Sequence, residues 1–244
     1  MKKILLAVVF ICTLLLSQKN VYAEEYYYVN DNGVSFTKAA YDFFGEFFYD
    51  GFQRYMTQDL FDQFVEEGFD FENTVIEKAS SILKQPGNTR DIPFYDTQSR
   101  SIDMSKACGI VCRVSSTVIW HGTPIVQDYD VMGAYITGPT RITTPVTFIN
   151  SSQGSDQPAA IVYDTDGYGA VLPVHNASDM IITQSFAYTG NGLIFMSHQH
   201  ATSQISLTNA QLFTIGLSGY GNVFNFYGAA TNVYDQMNGV YLTV

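Results

Sequence analysis

Apolar residues begin to recur at every second position at Cys112, and they continue to do so in short runs to the end of the chain. Cys112, Val114, Val118 and Trp120 alternate with Arg113, Ser115, Thr117 and Ile119, which gives a strand two distinct faces. His121-Gly122-Thr123 turns the chain, and Pro124 to Ile136 runs back. Further strands are expected at 141–149, 158–163, 169–174, 180–188, 192–199, 203–207, 211–216, 222–227 and 231–243. Turn sequences such as Gly138-Pro139, Asp166-Gly167, Asn191-Gly192 and Asn238-Gly239 separate them. Many short strands spaced 8 to 12 residues apart describe an antiparallel sandwich or jelly roll. A β domain over 107–244 follows.

The residues before it carry a different period. Tyr41, Phe44, Phe48, Phe52 and Tyr55 recur three and four apart, one face of a helix, with Phe43 and Phe47 widening the stripe. Thr37 is placed to cap that helix, and Thr57 to open a second one containing Leu60, Phe61, Phe64 and Val65, with Gly68 just past its end. Ahead of both, Asn30-Asp31-Asn32-Gly33 between Tyr26–Val29 and Val34–Phe36 signals a hairpin. Residues 24–84 thus read as an acidic helical unit with an N-terminal hairpin. Such a Phe stripe suits either a partner-binding helical hairpin or, as is more usual, a cap whose stripe packs on the β domain or on itself. Residues 85–106, opening with Gln85-Pro86-Gly87-Asn88 and rich in Ser, Thr, Gln and Asn, read as a linker. The overall expectation is an α+β chain: a small aromatic-rich helical unit, then an all-β antiparallel domain.

Residues 1–23 have the grammar of a secretory signal peptide. Lys2 and Lys3 precede the apolar run Ile4 to Leu16, and Val21-Tyr22-Ala23 is a small-x-small cleavage site. Cleavage after Ala23 leaves a secreted or cell-surface chain, and no later stretch is long and apolar enough to span a membrane. It also leaves nine Lys and Arg against 23 Asp and Glu, a net charge of −14. Twelve of those acids lie in residues 24–72, whereas from Ala107 onward there is no Lys or Glu, only Arg113, Arg141 and seven Asp. Nucleic acid and anionic lipid both need clustered cations, so neither is an expected partner. Export also exposes Cys108 and Cys112 to an oxidising compartment. Residues four apart on an extended strand are roughly 13 Å apart, so a Cys108–Cys112 disulfide requires a tight turn at Gly109-Ile110-Val111.

Four residues have metal-ligand character. Asp164 and Asp166 precede Gly167 as in an Asp-rich calcium loop, and calcium is the one cofactor such a loop would take; an Asp-Gly hairpin turn accounts for them equally. His198 and His200 fall on the same side of a strand and would need a third ligand from His121, His175 or an Asp. Gly216-Leu217-Ser218-Gly219 falls short of a nucleophile elbow. Asp128 and Asp130 are the only carboxylates close together on a β-domain strand, with one of them suited to anchoring a turn. Three Gly-x-Gly stretches (166–172, 190–196 and 219–226) each lead into an apolar run, and Tyr168, Tyr220 and Tyr227 are binding candidates near them.

Two passages carry a resemblance: Tyr26-Tyr27-Tyr28-Val29-Asn30-Asp31-Asn32-Gly33-Val34-Ser35-Phe36-Thr37 followed by Tyr41, and Trp120 with Pro124 and then Tyr129-Asp130-Val131-Met132-Gly133-Ala134. Both are similar to sequence in uncharacterised exported proteins of Gram-positive bacteria, some carried by phages or other mobile elements. The resemblance implies secretion and a helical unit and β domain that belong together. It brings no activity and no site residue. The expected function is a non-catalytic binding or structural module, adhesin-like or virion-type, that contacts extracellular protein or carbohydrate. The rival is a secreted hydrolase with a site assembled from Asp and His.

Overall fold

A computed structural model describes residues 26–49, 51–82, 100–218, 221–235 and 239–244. The leader at 1–23 and residues 83–99 lie outside the described residues, as does Tyr220. The β part consists chiefly of two antiparallel sheets. The larger contains β3 (Glu77–Ile82), β4 (Arg100–Cys108), β5 (Cys112–Trp120), β12 (Ile181–Thr189), β8 (Val146–Ser151) and β9 (Gly154–Asp156), in that spatial order, with the short β7 (Thr140–Arg141) added to β12. The smaller runs β10 (Ala160–Asp164), β11 (Gly167–Pro173), β6 (Tyr129–Thr137), β13 (Leu193–Gln199), β16 (Val240–Thr243). Alternation decides which side chains lie between the sheets. Ile102, Met104, Val114, Val118 and Trp120 of the larger sheet form one core with Met132, Ala134, Tyr168, Leu172, Ile194 and Met196 of the smaller. Trp120 is 2% exposed.

The opposite face of the larger sheet carries the helical unit. The hairpin of β1 (Tyr26–Val29) and β2 (Ser35–Thr37) is tied by the Asn30 side chain: Oδ1 accepts from Asn32 N and Val34 N, while Nδ2 donates to Met56 O. Thr37 Oγ1 accepts from Ala40 N at the start of α1 (Lys38–Phe48). The stripe continues beyond Phe48, but the helix does not. Tyr49 sits at φ 69°, a conformation an L residue rarely adopts, and α2 (Phe52–Tyr55) is a separate short turn. The single helix face read from Tyr41 to Tyr55 is therefore corrected to two helices, with the break at Tyr49. Thr57 caps α3 (Gln58–Glu66) through Leu60 N, and Gly68 ends it at φ 77°. Phe36, Phe44, Phe47, Phe48, Phe52 and Phe64 are buried together, and Tyr55 stacks on Phe148 of the sheet at 4.1 Å. The unit packs on the β part, as the cap reading expected.

Cys108 and Cys112 are bonded across the β4–β5 turn, their Cα atoms 4.0 Å apart. This turn meets the helical unit: Ile110 N donates to Glu67 O, capping the end of α3. Glycine is needed at 109, where a Cβ would lie 2.5 Å from Glu67 O.

Four further expectations are corrected. Residues 100–106, assigned to the linker, belong to β4, and 77–82, assigned to the helical unit, form its edge neighbour β3. The strand expected at 203–207 is loop leading into α4 (Leu207–Ala210), where Ser206 Oγ accepts from Asn209 N. The strand expected at 231–243 is a 3₁₀ turn (Gly228–Asn232) followed, after an interval, by β16. α4, the 3₁₀ turn and the hairpin β14 (Phe213–Ile215) with β15 (Phe224–Phe226) cover the outer face of the smaller sheet, over Val131 and Val171.

Candidate functional site

The chain leaves the smaller sheet at the end of β6 and joins the larger one at β7, turning at Gly138-Pro139. This crossing opens a polar cleft of about 470 Å³ between the turn and the β10–β11 hairpin. Tyr135, Thr137, Thr140 and Arg141 line one side, and Asp164, Thr165 and Asp166 the other. Ile136 N donates to Asp166 O at 2.6 Å and holds the two rims together, while Asp164 Oδ1 accepts from Thr165 N. Arg141 is half-buried. Its guanidinium lies 5.3 Å from the Tyr163 ring centre and 5.6 Å from that of Tyr168, so cation–π contact fixes the plane of the fork. Nη1 is buried without a hydrogen-bond partner.

A second polar cluster lies inside the molecule. Asp130 (β6), His198 and His200 (β13 and the residue after it) project into the inter-sheet core beside Trp120, all of them 4% exposed or less. Asp130 Oδ1 accepts from Ala201 N and lies 2.7 Å from His200 Nδ1. His198 Nε2 approaches Asp130 Oδ2 to 3.1 Å but out of line for a hydrogen bond, so that contact is electrostatic and leaves both atoms without a hydrogen-bond partner. Arg100 completes the cluster: its Nη2 donates to both oxygens of Asp235, its guanidinium lies 5.1 Å from the Trp120 ring centre, and Asp235 Oδ1 accepts His200 N. Burial works to raise the Asp130 pKa, but the charge and hydrogen bond of His200 and the close approach of His198 outweigh it and hold the carboxyl below the usual carboxylate range. Desolvation lowers the His198 pKa, against the pull of Asp130.

The sequence candidates divide between these two places. His198 and His200 share a strand side as expected, and their third group is Asp130. They hold that carboxylate between them instead of converging on an open position. Among the described residues no group of three or more His, Cys, Asp and Glu side chains is arranged to hold a metal. Asp164 and Asp166 are exposed in the cleft, and no third acid lines it with them. Asp128, as suited to a turn, anchors a loop through Ile205 N. Tyr168 was expected at a binding surface; it is fully buried against Phe186 and reaches the cleft only through Arg141. Tyr227 is 48% exposed, distant in sequence from the cleft-lining residues. Arg141 went unmarked in the sequence, although a region without Lys that holds only two arginines makes each of them conspicuous.

A further opening of about 480 Å³ lies on the helical unit, near Lys38, Asp42, Glu46 and Phe71. Its lysine is paired with Asp42, and Lys78 with Glu46.

No protein-family model matches the chain, and no curated protein matches it. Among solved structures, a chain from "pH-induced modulation of Streptococcus parasanguinis adhesion by Fap1 fimbriae" is similar at 12% identity and a TM-score of 0.29, over 69% of this chain and 95% of that one. Among the described residues no helix is long and apolar enough to cross a membrane.

Proposed function

We propose that the chain is a secreted or surface-associated, non-catalytic binding module, adhesin-like or virion-type, whose ligand is an extracellular protein or carbohydrate. The observation that carries this reading is the cleft at the sheet-to-sheet crossing. It is open, polar and of a size that takes a small ligand or a protruding loop. The charge-poor β part around it suits hydroxyl-rich or neutral surfaces better than highly charged ones. One core filled from both sheets supports the sandwich form of the fold. The leader at residues 1–23 supports export, with the mature chain beginning at Glu24.

A hydrolase would need its carboxylate and imidazole within reach of a substrate. Asp130 with His200, in the inter-sheet core, is sealed from solvent, and the solvent-accessible pair of Asp156 with His175 lines neither opening described above, which favours binding over catalysis. The test is to express the whole chain with its leader, measure the mass of the exported form, and screen that form on a glycan array and against candidate extracellular-matrix proteins. A mature mass starting at Glu24 and saturable binding abolished by Thr140→Arg, which fills the cleft, would support the reading. Binding that persists in Thr140→Arg, or glycoside or ester hydrolysis by the exported form, would overturn it.

A further inference from the structure

The cleft combines features that a generic polar surface lacks. Among the described residues Arg141 is the one cation with neither an ion pair nor a hydrogen bond, whereas Lys38, Lys78, Lys106, Arg100 and Arg113 each face a carboxylate. Arg54 donates to Ser151 O. Arg141 has only the two tyrosine rings, and Nη1 has no acceptor. Nη1 is closed off from water, while Nε and Nη2 are not, and with no protein acceptor for them either they are the nitrogens that an anion in the cleft can reach. Asp164 and Asp166 stand across the same cleft, exposed, without pairing with Arg141. Positive and negative groups are thus held apart across one opening.

We propose that this cleft is a subsite for an acidic saccharide, a sugar unit whose carboxylate is taken by Arg141 and whose hydroxyls are taken by Asp164 and Asp166. The inference rests on the binding-module reading and adds a ligand class to it. A planar fork fixed on aromatic rings matches a carboxylate in two-pronged geometry. Carboxylate side chains accept from sugar hydroxyls, which only a polyhydroxylated ligand supplies in number. The alternatives fit less well. A phosphate dianion would bring twice the charge of a carboxylate toward the two aspartates, a divalent cation would face Arg141, and a neutral sugar would leave the guanidinium unanswered. The cleft volume of about 470 Å³ falls in the range of small-molecule sites.

The experiment is isothermal titration of the mature chain with sialyllactose and with a glucuronate-containing disaccharide, each beside its carboxyl-reduced form, with inorganic phosphate as a further probe. At least one acid form is expected to bind, and its reduced form about tenfold more weakly or worse. Arg141→Gln should lose about the same factor, Arg141→Lys should recover part of it, and Asp166→Asn should weaken the acid sugar a few-fold. Near-UV circular dichroism and the melting temperature establish that each variant is folded; should Arg141→Gln fail this check, Arg141→Lys and Asp166→Asn carry the comparison. Equal binding of acid and reduced forms, unchanged affinity in the Arg141 variants, or tighter binding of phosphate would overturn the acidic-saccharide assignment while leaving a binding module in place. Binding of neither acid sugar would overturn it too, and the module reading would fall with it only if the array and matrix screens were also blank.

Discussion

Each face of the seven-stranded sheet buries one arginine, and the two are held in parallel ways. On the outer face Arg113, fully buried, donates Nε and Nη2 to the two oxygens of Glu67 and lies 4.7 Å from the Phe64 ring centre. On the inner face Arg100, 1% exposed, grips Asp235 and lies over Trp120. Both join distant parts of the chain: Arg113 fastens the helical unit to β5, and Arg100 fastens the segment after the 3₁₀ turn to β4. They differ in what surrounds the carboxylate. Gln63 Oε1 also accepts from Arg113, and the Phe64 ring covers the guanidinium. Asp235 instead leads to His200, and through it to Asp130 and His198. The outer pair is a clasp in an aromatic core. The inner pair belongs to a charged network, so disturbing it unbalances several groups together.

The largest test of that difference removes each carboxylate in turn. Asp235→Ala leaves Arg100 buried and unpaired and frees His200 N, and should cost about 3–5 kcal/mol. Glu67→Ala leaves Arg113 with Gln63, and should cost about 2–3 kcal/mol. Urea unfolding of the two variants checks the order. Equal losses would mean that the network adds nothing beyond a single pair.

The outer face was the more legible in the sequence because local chemistry specifies it. Asn-Gly at the hairpin, threonines at two helix starts, Gly68 at a helix end and a Phe stripe each act over a few residues. The inner face depends on strands that meet from distant parts of the chain. β4 escaped notice because its inner residues, Arg100, Ile102 and Met104, alternate with Ser101, Asp103 and Ser105, a polar mixture that resembles a linker until β5 pairs with it. The histidines were found by spacing, but Asp130 lies 68 residues away and only the β6–β13 pairing brings it to them. Asp164 and Asp166 were found as a cation loop; the arginine facing them comes from β7, too short a strand to leave a pattern.

Smaller in effect is the disulfide, which lies where the two faces meet. Replacing Cys108 and Cys112 with Ser should cost about 2 kcal/mol at most, because the closed loop is short. Cys108 and Cys112 are register partners at the end of a long ladder, so the hairpin persists without the bond. The loss should appear first in the Ile110 N to Glu67 O contact, read as faster amide exchange at Ile110, with the inner-face amides unchanged.

Acid distinguishes the faces further. The His198 pKa is lowered in the fold from an ordinary value of 6.5, so below that pH the unfolded chain takes up a proton that the folded chain resists. Stability should therefore be level above about pH 6.5 and fall beneath it, by at most about 1.4 kcal/mol per pH unit for one proton. Asp130, held below its ordinary 3.8, adds a second loss in the same direction as pH falls past that value. The first slope should persist in Glu67→Ala and vanish in His198→Gln. A slope surviving His198→Gln would place its source outside the inner network.

The smallest expected effect confines itself to the outer face. Thr57 Oγ1 accepts from Leu60 N, and Thr57→Ala leaves an amide at the start of α3 without that acceptor, for a loss of about 1 kcal/mol. Glu67, the partner of Arg113, lies just past the other end of the same helix, so the cap and the clasp share one element. If the helical unit and the sheet unfold as one body, Thr57→Ala lowers the single transition seen by both near-UV circular dichroism and Trp120 fluorescence. If the outer face opens first, the variant lowers the circular-dichroism midpoint while Trp120, buried on the inner face, reports an unchanged one. Coincident midpoints are the expected result, because Arg113 is fully buried and its pairing with Glu67 cannot be broken without exposing β5 as well.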